Sequence, residues 1–167
     1  SRGFSAPVPS ILLLNAWLVL QPLFCQVPAT ADPHFARGIE LQNLGRFEEA
    51  IAEYEMSLRT GARFPVLANL GAALARLGRY EEAIVRYEEA LSLAPGQPGI
   101  TLNLGLACYK TGDHERAAGL FEQVVKAQPE NLQASILLAD CFFQLGQYKR
   151  AVEQLEPVAD KHPDDLS

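Results

Sequence analysis

The phrase Gly45-Arg46-Phe47-Glu48-Glu49-Ala50-Ile51 returns as Gly78-Arg79-Tyr80-Glu81-Glu82-Ala83-Ile84 and as Gly112-Asp113-His114-Glu115-Arg116-Ala117-Ala118. It returns a last time as Gly146-Gln147-Tyr148-Lys149-Arg150-Ala151-Val152. The leading glycines are 33, 34 and 34 residues apart. A small residue (Gly38, Gly71, Gly105, Ala139) stands seven residues ahead of each. Proline recurs at 95, 129 and 163, with Ala62 in the matching place of the first copy. A period of this length constrains the fold more than composition does. Each unit is one supersecondary element that cannot bury its own apolar face, so the units must stack.

Within a unit the apolar spacing is helical twice over. Leu67, Leu70, Leu74 and Leu77 recur at three and four residues, the spacing of one helix face. Gly78 then ends this first helix, because glycine adopts the left-handed conformation a helix terminus often needs. Tyr80, Ala83, Ile84, Tyr87, Ala90 and Leu91 mark one face of a second helix. A proline without a backbone N–H stops it. The small residue of the first helix, and Ala50, Ala83, Ala117 and Ala151 of the second, fall where two helices must approach closely. The pattern predicts an all-α chain of four helix–turn–helix units over about residues 31–63, 64–97, 98–131 and 132–165.

This order of small, aromatic, small and proline positions resembles the tetratricopeptide (TPR) repeat from Ala31 to Asp165. Three places depart from it. Arg37 replaces an apolar residue, His114 an aromatic, and Leu155 an aromatic in the last copy. The resemblance implies a right-handed α-solenoid with a concave groove lined by first helices and a convex surface of second helices. It implies a non-enzymatic scaffold that binds a protein or peptide. Carried over, the groove residues are Asn69, Ala72 and Arg76; Asn103, Leu106, Tyr109 and Lys110; and Ile136, Asp140, Phe143 and Gln144. Asn69 and Asn103 are equivalent, and in the family such an amide hydrogen-bonds an extended ligand backbone as donor and acceptor. A surface asparagine with no ligand fits the same pattern. The carboxylate clamp of chaperone-binding members is missing, since Phe35, Ile39, Gly99, Ala68, Ala72 and Gln133 hold its places. Leu102, Leu106, Tyr109, Ile136 and Phe143 instead suit an apolar or amphipathic segment.

Other chemistries find little support. The glutamate pairs 48/49, 81/82 and 88/89 read as a solvated face, supported by Glu82 with Arg86 and Glu122 with Lys126. Each such pair contributes about a few tenths of a kcal/mol. His34, His114 and His162 lack a second ligand at metal spacing, and no nucleophile motif or phosphate loop is present. No catalytic residue, metal or cofactor is therefore expected. A net charge of −6 without a Lys/Arg cluster speaks against nucleic acid as partner. Cys25, Cys108 and Cys141 are too scattered for a zinc site or disulfide framework. Cys108 and Cys141 fall on apolar helix faces and are expected as buried thiols, with a bond between them as the alternative.

Residues 1–31 differ in character from residues 32–167, the repeat domain. Arg2, the apolar run Ile11–Leu20, the Gln21-Pro22 break and Ala29-Thr30-Ala31 follow the order of a secretory signal. Ten helical residues reach about 15 Å, against about 30 Å of membrane hydrocarbon, and Asn15 interrupts the run. The expectation is cleavage after Ala31 or Ala29 and export to a periplasmic or extracellular space. The alternative is an uncleaved leader that anchors the chain, its one route to a membrane. Pro22-Leu23-Phe24 before Cys25 lack the small residues of a lipid-attachment site. At the other end Pro157 is expected to interrupt the last second helix, with no polar cap after it. With an end covered by another subunit as the alternative, more repeats or another domain are expected downstream. On that rests a second functional reading, the recognition portion of a larger enzyme.

Overall fold

A computed structural model of the chain describes residues 32–161, with side chains to residue 157. The leader, Cys25, His162 and Pro163 lie outside the described residues. Eight helices follow one another as four pairs: α1 (Pro33–Asn43) with α2 (Phe47–Leu58), α3 (Phe64–Arg76) with α4 (Tyr80–Leu93), α5 (Pro98–Lys110) with α6 (His114–Ala127), and α7 (Leu132–Gln144) with α8 (Tyr148–Lys161). No strand occurs among the described residues. The expected all-α solenoid is the fold.

The repeated glycines make the turn within each pair. Gly45, Gly78, Gly112 and Gly146 have φ of 75°, 76°, 84° and 72°. After each, the next N–H reaches back to a carbonyl of the first helix: Arg46 to Leu41, Arg79 to Leu74, Asp113 to Cys108 and Gln147 to Phe142, at 2.8–3.0 Å. This bond satisfies helix-end carbonyls and turns the chain sharply into the second helix.

A second glycine, inside the first helix, sets how closely the pair packs. A Cβ on Gly71 would lie 2.8 Å from the Tyr87 ring, and one on Gly105 2.6 Å from the Phe121 ring. One on Gly38 would collide with Tyr54 in the same way. The three rings are fully buried. In the last pair the corresponding residues are Ala139 and Leu155, again sixteen apart. The added methyl and the lost ring compensate each other, which explains the departure at Leu155.

Successive helices pack throughout, and α1 also touches α3, as α3 touches α5. Among the described residues no two second helices make comparable contact, so the first helices form the inner row. Each first helix buries one face against the preceding repeat: Val66, Leu70 and Ala73 in α3; Leu104 and Ala107 in α5; Ala134, Leu138 and Cys141 in α7. In α1, with no repeat ahead of it among the described residues, Pro33, Arg37 and Glu40 take those positions and are exposed. Arg37 there forms an ion pair with Glu40 at 2.6 Å. Arg37 thus departs from the pattern at a position that forms no junction among the described residues.

Two expectations are corrected. Pro157 does not interrupt the last helix, which runs on to Lys161. The proline forfeits one backbone bond to the Glu153 carbonyl, and both residues are exposed, where water can take that carbonyl. The pairs Glu82–Arg86 and Glu122–Lys126 are not the ones formed. Glu82 is gripped by both arms of Arg79 at 2.6 Å, Arg86 turns to Glu89 at 2.8 Å, and Glu122 meets Arg150 of the next repeat at 2.8 Å. Arg79 sits at the helix start, three residues from Glu82, and its planar fork matches a carboxylate at two points.

Candidate partner-binding groove

The inner row of first helices carries every residue expected to meet a partner. On α3, Asn69 is half-buried and its Nδ2 donates to the Pro65 carbonyl of its own helix at 2.8 Å. Arg76 lies with its guanidinium 5.4 Å from the centre of the Phe47 ring, bridging to the preceding repeat. Ala72 is half-buried between them.

The centre of the row is α5. Asn103, at the middle of the helix, and Lys110, at its last residue, are exposed, and Leu102, Leu106 and Tyr109 are half-buried. The Tyr109 hydroxyl donates to Asp140 Oδ2 on α7, which ties two first helices together across the groove floor. That bond, with some burial, raises the phenol above its ordinary range. The edge of His114 rests on Tyr109 at 5.1 Å between ring centres. His114 Nδ1 is buried with no hydrogen-bond partner. On α7, Ile136 and Phe143 are exposed and Asp140 half-buried, and Gln144 Nε2 lies 3.5 Å from Asp140 Oδ1.

The residues named from sequence thus divide. Tyr109 and Asp140 are joined, Asn69 bonds its own helix, and Arg76 is exposed with its guanidinium over Phe47. Asn103, Lys110 and Phe143 present exposed side chains. The arrangement offers hydrogen-bonding amide and ammonium groups beside a half-buried apolar strip. Cys108 and Cys141 are free, buried thiols. Burial pushes Cys141 up to about 11 and raises Cys108 as well, which suppresses the thiolate a nucleophile needs. Among the described residues no group of three or more His, Cys, Asp or Glu could hold a metal ion. No helix among them is long and apolar enough to cross a membrane.

Two features escaped the sequence. Asp32 caps α1 through the His34 N–H at 3.0 Å and also accepts from Ser57 of α2 and from Arg63 just before α3. The Ser57 hydroxyl first, then Arg63 and the backbone N–H groups, hold this carboxyl below the usual carboxylate range. On the second helices Arg116 reaches Glu88 and Arg150 reaches Glu122, both across 28 residues. That recurring separation was the available signal. Glu55 and Glu82 hold the matching places at the first junction, where like charges form no bridge.

Two sequence models of the tetratricopeptide repeat match residues 63–130 and 109–167. No curated protein matches the chain in sequence. Solved structures match in fold. A MamA crystal structure has 18% identity and a TM-score of 0.74, covering 79% of this chain and 78% of its own. MamA residues 41–end from Desulfovibrio magneticus RS-1 has 24% identity and a TM-score of 0.73, with 81% and 77% covered. YrrB, described as a TPR protein with an unusual peptide-binding site, has 20% identity and a TM-score of 0.73, with 78% and 68% covered.

Proposed function

This chain belongs to the tetratricopeptide-repeat family, and from that premise we propose that it is a protein-interaction scaffold whose inner row of first helices holds a peptide or protein segment. The observation that carries this reading is α5. Its exposed Asn103 and Lys110 flank the half-buried Leu106 and Tyr109, so one helix presents backbone-bonding groups and an apolar strip together. An extended or amphipathic segment satisfies both, the amide meeting its backbone and the strip its side chains. The peptide-binding site of YrrB supports the same class of function by analogy of fold.

The test compares proteins captured by the immobilised full chain with those captured by Asn103→Ala/Lys110→Ala. Both substitutions are on exposed side chains and leave the melting temperature unchanged. Loss of the same captured partner from the double variant is the expected result. Equal capture by both proteins rejects the groove.

Export through residues 1–31 is part of the proposal, supported by the signal-like order of that segment. Soluble protein recovered from an exporting host with residues 1–31 still attached, read by intact mass, would remove it.

A further inference from the structure

Charge is divided between the two rows of helices. On the second helices, the outer row, Glu48, Glu55, Glu81 and Glu115 are exposed and enter no ion pair among the described residues. The first helices carry only Glu40 and Asp140 as carboxylates. Both are engaged, Glu40 by Arg37 at 2.6 Å and Asp140 by the Tyr109 hydroxyl. What the inner row leaves without an ion pair is positive. Arg76 and Lys110 are exposed, and each is the last residue of its helix, two residues ahead of the turn glycine. The matching residues of α1 and α7, Asn43 and Gln144, are exposed amides. One register of the inner row thus sets two cations between two amides and carries no carboxylate.

The carbonyls at a helix C-terminus favour a cation, which accounts for Arg76 and Lys110 standing where they do. It does not account for the missing carboxylates. Elsewhere arginine is given a glutamate three residues on, as in Arg46–Glu49, Arg79–Glu82 and Arg86–Glu89. The other described cations without an ion pair, Arg59 and Lys126, each follow a carboxylate by four residues, Glu55 and Glu122. The Phe47 ring beneath the Arg76 guanidinium positions it without neutralising it. Resting on the groove reading above, we propose that the segment held there is acidic: an extended peptide that sets carboxylates against Arg76 and Lys110 and apolar side chains on Leu106 and Tyr109. Packed helices lie about 8–10 Å apart, and alternate residues of an extended chain about 7 Å. The long side chains of arginine, lysine and glutamate span the difference. Successive side chains of such a segment point to opposite sides, so acidic and apolar residues in alternation meet the basic register and the apolar strip together. The outer carboxylates repel the same segment, and the division of charge steers it to the inner row. A nucleic acid strand fits less well, because two cations neutralise too few phosphates to hold it.

The probe is a short labelled peptide in which glutamate alternates with leucine or serine. It is titrated into the full chain and followed by fluorescence anisotropy, beside versions with glutamine or lysine in place of glutamate. The glutamate peptide should bind about tenfold more tightly than the glutamine version at low salt, and the lysine version should not bind. Added salt should remove most of that advantage. Arg76→Gln/Lys110→Gln should lower the glutamate peptide to the level of the glutamine version. Arg76→Glu/Lys110→Glu should transfer the preference to the lysine version, with the helical signal of both variants intact. Arg59→Gln/Lys126→Gln, on the outer row, should bind as the wild type does. Equal binding of the glutamate and glutamine peptides, or a glutamate preference that survives Arg76→Gln/Lys110→Gln, overturns the proposal. If those equal peptides are both lost with Asn103→Ala/Lys110→Ala, the acidic partner falls and the groove stands; if that variant binds both unchanged, the groove falls too. No binding by the glutamate peptide also overturns the acidic partner, and the capture experiment above then decides the groove by itself. An oligonucleotide that displaces the glutamate peptide at equal concentration overturns the proposal in favour of nucleic acid.

Discussion

The first and last described repeats are built on the same unit and present opposite outer surfaces. At the start, the face of α1 that would meet a preceding repeat carries Arg37 and Glu40, exposed and paired with each other. Asp32 fastens that helix to α2 and to the segment before α3. At the other end, α7 and α8 present Phe143, Tyr148 and Val152 over an apolar depression. A solenoid is a row of like interfaces, so one register position can be compared in the first and last described repeats.

The comparison is broken most forcefully by exchanging residues in the same register. Leu70 is buried at the first inner junction, and Leu70→Arg places an unpaired charge where the start of the stack carries Arg37 in water. The cost is about 4 kcal/mol or more, a large part of the stability of a domain this size. Urea unfolding followed by the helical signal measures it. The reverse exchange, Arg37→Leu/Glu40→Ala, changes stability by no more than about 0.5 kcal/mol, since both side chains are exposed. It gives α1 the leucine and small residue of an inner first helix, and such a contact between the two ends of separate copies does not close. Sedimentation should then show growth into chains with rising concentration. A variant that stays monomeric argues that the difference between the ends lies elsewhere than at positions 37 and 40.

How far the sequence spoke depended on whether a feature was repeated or single. The glycine turns and the two helices of each unit were legible because each rests on a backbone requirement stated four times over. Leu155 and Arg37 were visible as departures, but their meaning was not. Leu155 makes sense only beside Ala139, and Arg37 only once the buried faces of α3, α5 and α7 show which side of α1 lacks a neighbour. Pro157 misled, because a proline on an exposed side of a helix removes one bond without ending the helix. Glu82 misled because two arginines stand within reach, and the nearer fork of Arg79 takes it. In the groove, Asn69 and Asn103 share one register and differ in what they do. One amide donates to its own helix while the other is exposed, a choice of rotamer that no spacing encodes.

A smaller effect sharpens the contrast inside the repeats themselves. The inner pairs combine glycine with a buried ring, whereas the last combines Ala139 with Leu155. Gly71→Ala places a methyl 2.8 Å from the Tyr87 ring, and the cost of such overpacking is about 1–3 kcal/mol. Tyr87→Leu alone empties part of the core. Together the two changes copy the end repeat, so the double variant should be more stable than the sum of the single effects predicts, by about 1 kcal/mol. The opposite change, Ala139→Gly, meets no ring and should cost about 0.5–1 kcal/mol, the ordinary penalty of a glycine inside a helix. Thermal unfolding of the four variants and the wild type reads both comparisons. Strict additivity of Gly71→Ala and Tyr87→Leu would show that the methyl and the ring do not compete for one space. The end repeat would then owe its Leu155 to something other than Ala139. Coupling of the expected sign makes the last pair a self-consistent variant of the inner ones. Its open face then belongs to α7 and α8 as they are built and is not the by-product of a missing ring.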